Sequence, residues 1–124
     1  MELKFYKCAG CGKIVAVVKP SACPTKCCGE AMEEMIPGAT DGAHEKHVPV
    51  CTVENGIAHV EVGSVLHPMM DAHYIEWIAL QTKKGYQIAD LKPGDEPKAD
   101  FAIAPGDEAE AAFAYCNLHG FWKG

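Results

Sequence analysis

The chain has 124 residues, enough for one domain or for a small module plus a compact one, and 48% of them are hydrophobic, which supports a folded core. No stretch approaches the roughly 20 apolar residues of a membrane helix, and the start, MELKFYKCAG, lacks the basic and then apolar run of a signal peptide, so a soluble cytoplasmic protein without a membrane partner is expected. A net charge of −6 and the lack of any basic run argue against nucleic acid as a partner, and an anionic substrate would need a local positive spot.

The first elements are two short apolar runs, Leu3–Tyr6 and Ile14–Val18, each bordered by Cys, Gly or Pro. Five of the seven cysteines fall between Cys8 and Cys28. In a reducing compartment such a cluster points to metal or redox chemistry rather than disulfides. Cys8-Ala9-Gly10-Cys11 is a knuckle in which one tight turn aims two thiolates at one ion, with Gly10 and Gly12 supplying backbone freedom. The second pair must come from Cys23, Cys27 and Cys28. Four thiolates suit zinc or iron in a tetrahedral site. A thioredoxin-type motif is disfavoured, because no βαβ pattern surrounds it. A module of residues 1–36 is too short to bury a stable core alone, so a metal would hold it together.

Ligand type changes after the Pro37-Gly38 turn: all six histidines lie between His44 and His119. Residues 37–124 therefore read as a second module. Its predicted strands are Val48–Val53, Ile57–Val62 after an Asn55-Gly56 turn, Tyr74–Leu80, Tyr86–Leu91, Phe101–Ile103, Ala111–Cys116 and Phe121–Lys123. This spacing suggests an antiparallel β-sandwich. The alanine-rich stretch Asp107–Tyr115 would also suit a helix; the regular spacing elsewhere favours a strand.

His47, His67, His73 and His119 all fall in loops or at strand borders, where side chains can converge. Any one alone is more often a surface or core histidine. Cys116-x-x-His119 lets a thiolate and an imidazole reach the same ion from one turn, which strengthens the group. His59 lies within an alternating strand and is expected to face solvent; His44 lacks a partner motif. Cys51, Trp77 and Cys116 mimic the Cys…Trp…Cys order of an immunoglobulin domain. A Cys51–Cys116 disulfide is disfavoured, because it would consume the thiolate that accounts for the histidines. Cys51 reads instead as a small apolar residue.

Several segments resemble the superoxide reductases. They are Thr40-Asp41-Gly42-Ala43, Glu45-Lys46-His47-Val48-Pro49-Val50, Gly63-Ser64-Val65, His67-Pro68-Met69, Ile75-Glu76-Trp77-Ile78, Leu91-Lys92-Pro93-Gly94 and Tyr115-Cys116-Asn117-Leu118-His119-Gly120. The front half, with Cys8, Cys11, Cys27, Cys28 and Gly29-Glu30-Ala31-Met32, resembles the two-iron branch called desulfoferrodoxin. The resemblance implies a mainly β chain, with a desulforedoxin-like or rubredoxin-like metal knuckle followed by an immunoglobulin-like antiparallel sandwich. It implies an Fe–S4 centre on Cys8, Cys11, Cys27 and Cys28, and a second iron on His47, His67, His73 and His119 with Cys116 axial. Glu45 matches an acidic residue able to take the sixth position in the oxidised state, and Lys46 a lysine beside the open site.

The implied activity is reduction of superoxide to hydrogen peroxide. The implied partners are a small electron-donor protein such as a rubredoxin and a second copy of the chain. Cys23, Cys51 and His44 depart from the usual pattern. The rival readings are a rubredoxin-like electron carrier, which leaves four histidines around Cys116 unexplained, and a zinc-stabilised binding module.

Overall fold

The computed structural model describes residues 2–40 and 42–124. Asp41, part of one matching segment above, lies outside the described residues. The chain divides into two compact units, Met1–Ile36 and Pro37–Gly124.

In the first unit, β1 (Lys4–Lys7) pairs antiparallel with β2 (Ile14–Val17) and with the two-residue β5 (Glu33–Glu34). The knuckle Cys8–Gly12 closes the β1–β2 connection through Gly12 N–H to the Cys8 carbonyl at 2.9 Å and Cys8 N–H to the Lys13 carbonyl at 2.9 Å. Leu3, Phe5, Cys8 and Met32 are its buried apolar residues. Such a small set cannot offset the ordering entropy of the unit without a cross-link.

A separate ribbon, β3 (Lys26–Cys27) with β4 (Glu30–Ala31), turns through Cys28 and Gly29. Both turn residues have positive φ, 54° and 79°, as a type I′ hairpin turn requires. Glycine accepts that conformation; cysteine does so at a cost of about 1 kcal/mol or more.

The second unit is an antiparallel sandwich. One sheet has the order β10-β7-β6, with β6 Pro49–Glu54, β7 Ile57–Val62 and β10 Lys98–Ala102. The other has the order β12-β11-β8-β9, with β8 Ile75–Thr82, β9 Tyr86–Asp90, β11 Ala109–Cys116 and β12 Gly120–Lys123. Three strands against four, with a core of alternating inward residues, is the immunoglobulin-like arrangement the resemblance implied. The core comprises Ala58, Val60 and Val62 of β7, Ile75, Ile78 and Leu80 of β8, Phe101 of β10, and Ala112, Ala114 and Cys116 of β11. Asn55 (φ 52°) and Gly56 (φ 75°) form the predicted tight turn between β6 and β7.

The alanine-rich stretch is a strand for a tertiary reason. Strand β11 pairs with β8 on one side and β12 on the other. Its small side chains suit a strand buried on both faces, and that burial overrides helix propensity. On the face opposite the core, Trp77 stacks on Tyr115 (5.8 Å between ring centres) and Phe113 on Phe121 (5.4 Å).

The register slips where β11 ends. Tyr115 sits opposite Trp77, but Cys116 sits opposite Ile75, so Glu76 is the extra residue of a bulge. The bulge reverses the alternation of β8, so Ile75 turns into the core on the same face as Cys116.

The sequence reading missed a single helical turn, α1 (His44–His47). Val48 stops it, being extended at φ −72°, ψ 117° ahead of Pro49, as a residue before proline prefers. His47 therefore sits on a helical turn rather than in a loop. His73 precedes β8 and forms an isolated bridge with Met70. His59 is half-exposed and bonded to Asp100 at 2.6 Å. Cys51 is half-buried against the core. All seven cysteines are free thiols. No helix among the described residues is long and apolar enough to cross a membrane.

One loop contact carries a pH signature. The Asp107 carboxylate accepts bonds from the Thr82 hydroxyl (2.6 Å) and the backbone N–H groups of Lys84 (3.1 Å) and Glu108 (2.9 Å). Chiefly through the Thr82 bond, its pKa falls below the ordinary 3.8. The stabilisation is therefore present at neutral pH and is lost as pH falls from about 4 through the lowered value. Asp107→Ala should lower the melting temperature at pH 7. The gap to the parent should shrink below about pH 4, as thermal unfolding followed by circular dichroism would show.

Candidate metal centres

Among the described residues, two groups bring metal-ligating atoms within 4.8 Å of one another: Cys8, Cys11, Cys27 and Cys28, and His47, His67, His73, Cys116 and His119.

The four-cysteine group is built from the knuckle and the β3–β4 turn. Cys11 and Cys27 Sγ lie 3.7 Å apart and Cys27 and Cys28 Sγ 4.0 Å apart. Bonds of about 2.3 Å from four sulfurs to one central ion put the sulfurs about 3.8 Å apart, so the cluster already has the dimensions of a tetrahedral site. The left-handed Cys28 is what lets adjacent cysteines face the same point. The two knuckle glycines serve different ends. Gly12 takes φ +80°, whereas a Cβ on Gly10 would stand 3.1 Å from the Cys28 Cβ and 3.5 Å from its sulfur. Gly10 is thus needed for close approach of the two turns.

The thiols ionise unequally. The Cys11 N–H above all, with the Cys27 thiol and the Gly10 N–H, brings the Cys8 pKa down to about 7. The surrounding sulfurs of Cys8, Cys11 and Cys27 push Cys28 up to about 12. One thiolate is easy and four together are not, unless a cation sits among them. Cys23 stays outside the cluster, exposed, with its sulfur near the Pro24 carbonyl at 3.9 Å.

In the second group the imidazoles form a square. Neighbouring ring centres are 4.7 Å (His47–His67), 4.6 Å (His67–His73), 5.0 Å (His73–His119) and 4.8 Å (His119–His47) apart. The diagonal His47–His73 is 6.4 Å. Each neighbouring pair is edge-to-face, with interplanar angles of 73° to 83°.

The tautomers follow from hydrogen bonds. Nδ1 of His47 meets the Ala43 carbonyl and Nδ1 of His67 the Pro68 carbonyl, each at 2.7 Å. A carbonyl only accepts, so both Nδ1 atoms carry the proton and both Nε2 atoms carry a lone pair. Those two Nε2 atoms face each other at 3.2 Å. The His119 Nδ1 lies 3.1 Å from His47 Nε2, and His73 Nε2 is buried without a partner. Two lone pairs at that distance repel unless a cation lies between them. Metal–nitrogen bonds of about 2.1 Å at right angles would place neighbouring nitrogens about 3.0 Å apart, close to the observed separations. The donor set fits a metal.

Burial is the main cause that lowers the pKa of His47, His67 and His73, with His67 brought down to about 4. These imidazoles are neutral at pH 7, the ligating form. Cys116 is fully buried, and desolvation raises its pKa. The N–H groups of His119, 3.4 Å from the sulfur, and Leu118 pull it back.

The supporting residues include several that carried no sequence motif. Trp122 stacks on His47 (5.0 Å, 26°) and donates its indole N–H to the His119 carbonyl at 2.9 Å; the Thr40 hydroxyl donates to the same carbonyl. His44 meets Trp122 edge-on at 5.2 Å and does not join the ligand group. Glu45 and Lys46 are exposed on α1, outside the ligand group itself.

Gly63 locks α1 in place. With φ +86°, it lies so close that a Cβ would stand 2.5 Å from the Val65 carbonyl oxygen, 2.7 Å from that of Glu45 and 2.8 Å from the Lys46 carbonyl carbon. Val65 N–H bonds to the Glu45 carbonyl at 2.9 Å across this contact. Gly63→Ala should displace α1 with His47. Metal affinity at the histidine centre should fall by about tenfold or more, while the four-cysteine centre keeps its metal; competition against a chelator reads both.

Comparison with known proteins agrees with this geometry. The sequence profile of the desulfoferrodoxin domain matches residues 39–124, and that of the desulfoferrodoxin N-terminal domain matches residues 1–35. A desulfoferrodoxin homolog of Archaeoglobus fulgidus and the desulfoferrodoxin of Nitratidesulfovibrio vulgaris are each 46% identical, over 98% of this chain and 95% of theirs. The crystal structure of the superoxide reductase from Treponema pallidum is 36% identical and superposes with a TM-score of 0.84, covering 100% of this chain and 99% of that one. With both halves matched in order and nearly end to end, the chain belongs to the desulfoferrodoxin family.

Proposed function

We infer that the chain is a superoxide reductase. In this reading His47, His67, His73, His119 and Cys116 hold the catalytic iron, and Cys8, Cys11, Cys27 and Cys28 hold a second iron. The observation that carries the reading is the pair of lone pairs on His47 and His67 Nε2, facing each other at 3.2 Å within a square of four imidazoles beside a buried thiol. Similarity over the whole chain to a protein named the superoxide reductase from Treponema pallidum supports the same reading.

The reaction joins one superoxide, one electron and two protons into hydrogen peroxide. Iron, when bound, supplies a one-electron couple and a coordination position for an anion. The four imidazoles and the Cys116 sulfur would hold the iron through five donor atoms, which would leave it able to take an anionic substrate. The Ala43 and Pro68 carbonyls hold His47 and His67 in the ligating tautomer and orientation. The Cys116 sulfur would donate electron density to a bound iron, and the N–H groups of Leu118 and His119 would temper that donation. A bound cation also reverses the effect of burial on this thiol, keeping it as thiolate.

Lys46 supplies the positive spot that an anionic substrate needs on a chain of net charge −6. After burial and His119, the Lys46 charge is the third cause that lowers the His73 pKa, which places it close to the site. Glu45, on the same helical turn, is the carboxylate able to take the substrate position in the oxidised state. The protons come from water.

The electron must come from outside the site, because superoxide is here only an acceptor. A small donor protein such as a rubredoxin fills that role in this reading. The family resemblance supports a homodimer, a cluster of cysteines with metal-ligand spacing suits a reducing, cytoplasmic setting, and superoxide as substrate implies a part in defence against oxidative stress.

Metal analysis should find about two irons per chain, with two distinguishable ferric absorptions; a colourless zinc protein would end the reading. Cys116→Ser should abolish the thiolate-to-iron absorption of the histidine centre and leave that of the four-cysteine centre in place. Lys46→Ile should slow superoxide reduction at low salt by about tenfold with iron still bound. Unchanged rates in pulse radiolysis would remove the steering role.

A further inference from the structure

Residues 63–74 carry two of the four imidazoles but form no strand. His47 and His67 are oriented through their own ring N–H groups. His73, whose Nε2 is buried without a partner, is held from its backbone instead. The holding group is Asn117, the residue after Cys116. Its Nδ2 donates to the Ala72 carbonyl at 3.0 Å, and its Oδ1 accepts the Tyr74 N–H at 3.0 Å. Its own backbone N–H donates to the Tyr74 carbonyl at 3.2 Å. One side chain thus grips both neighbours of His73.

The amide orientation follows from the partners, because a carbonyl only accepts and an N–H only donates. Among short side chains, only an amide offers a donor and an acceptor in one rigid plane. A carboxylate lacks the donor, and an aliphatic residue lacks both.

We propose that Asn117 is a positioning residue that sets the His73 imidazole relative to the Cys116 sulfur, and so tunes the histidine-thiolate centre. It touches no ligand atom and acts through the backbone on either side of His73. Neighbouring contacts fasten other parts of the segment. The Met70–His73 bridge lies within the loop itself, and the Gly94 N–H to Met69 carbonyl bond (3.0 Å) fastens the loop upstream of His73. Beside the pairing of Ile75 with Cys116, the Asn117 bonds tie the residues on either side of His73 directly to the turn between Cys116 and His119.

The proposal rests on the assignment of iron to this centre, and the test separates the two. In the iron-loaded full chain, Asn117→Ala should shift the thiolate-to-iron absorption maximum. It should also speed iron loss to a chelator by about 10- to 100-fold. The four-cysteine absorption should not move. Asn117→Ser, whose hydroxyl can keep one of the two side-chain bonds, should show smaller changes in the same direction. Should the alanine variant fail to fold, the serine variant decides alone. Parent absorption and parent iron release in a folded variant would overturn the proposal, even if that variant melted earlier. Absence of a thiolate-to-iron band from the unmodified protein would instead overturn the assignment of iron.

Discussion

Four imidazoles and a buried thiol converge on one point, and the lone pairs of His47 and His67 Nε2 facing each other at 3.2 Å are the constraint around which the second unit is organised. The ordinary escape would be for one imidazole to rotate or to donate a proton to its neighbour. The Ala43 and Pro68 carbonyls close that route for His47 and His67 by engaging Nδ1–H. Trp122 packs flat on His47 and holds the His119 carbonyl, so neither ring can swing freely. Preorganisation of this kind raises metal affinity, because the ordering cost is met during folding rather than at binding.

The frame that withstands the repulsion is the sandwich edge. Cys116 ends a strand paired on both sides, and the bulge at Glu76 keeps Ile75 packed on the same face. The histidines reach the site from less regular segments: one helical turn, one loop and the turn after β11. Each segment is fastened by a specific contact, Gly63 for α1 and Asn117 for the loop. Rigid strands thus set the Cys116 sulfur, and local devices set the imidazole nitrogens.

The first unit meets a related constraint with fewer means. Its few buried apolar residues cannot order it, so sulfur–metal bonds would supply most of its stability. The left-handed Cys28 shows the cost accepted for this, a backbone strain that a shared ion among the four sulfurs would help offset. The steep spread between Cys8, near 7, and Cys28, near 12, has the same electrostatic origin.

Much of this chemistry was legible in the sequence, because it depends on residue type and close spacing. Cys8-x-x-Cys11, Cys116-x-x-His119 and the Asn55-Gly56 turn each act over a few residues, where chain geometry leaves little freedom. The alternation of β7 likewise marked its inward face before any partner strand was known, whereas the alanine-rich β11 carried no such pattern. The helical turn at His44–His47 was not legible: four residues carry no periodicity, and its stability comes from contacts with Gly63 and Val65. The choice between Cys23, Cys27 and Cys28 was open on spacing alone, and the left-handed hairpin turn settled which sulfurs converge. Gly63 and Asn117 lie within segments that carry the family resemblance and Trp122 lies outside them, but none of the three roles was legible, because each is defined by partners far along the chain. The sequence by itself thus determined which donors exist and roughly which pairs act together. Only the tertiary structure decided that four imidazoles form a square beside Cys116, because that square depends on long-range packing that brings residues 47, 67, 73 and 119 to one point.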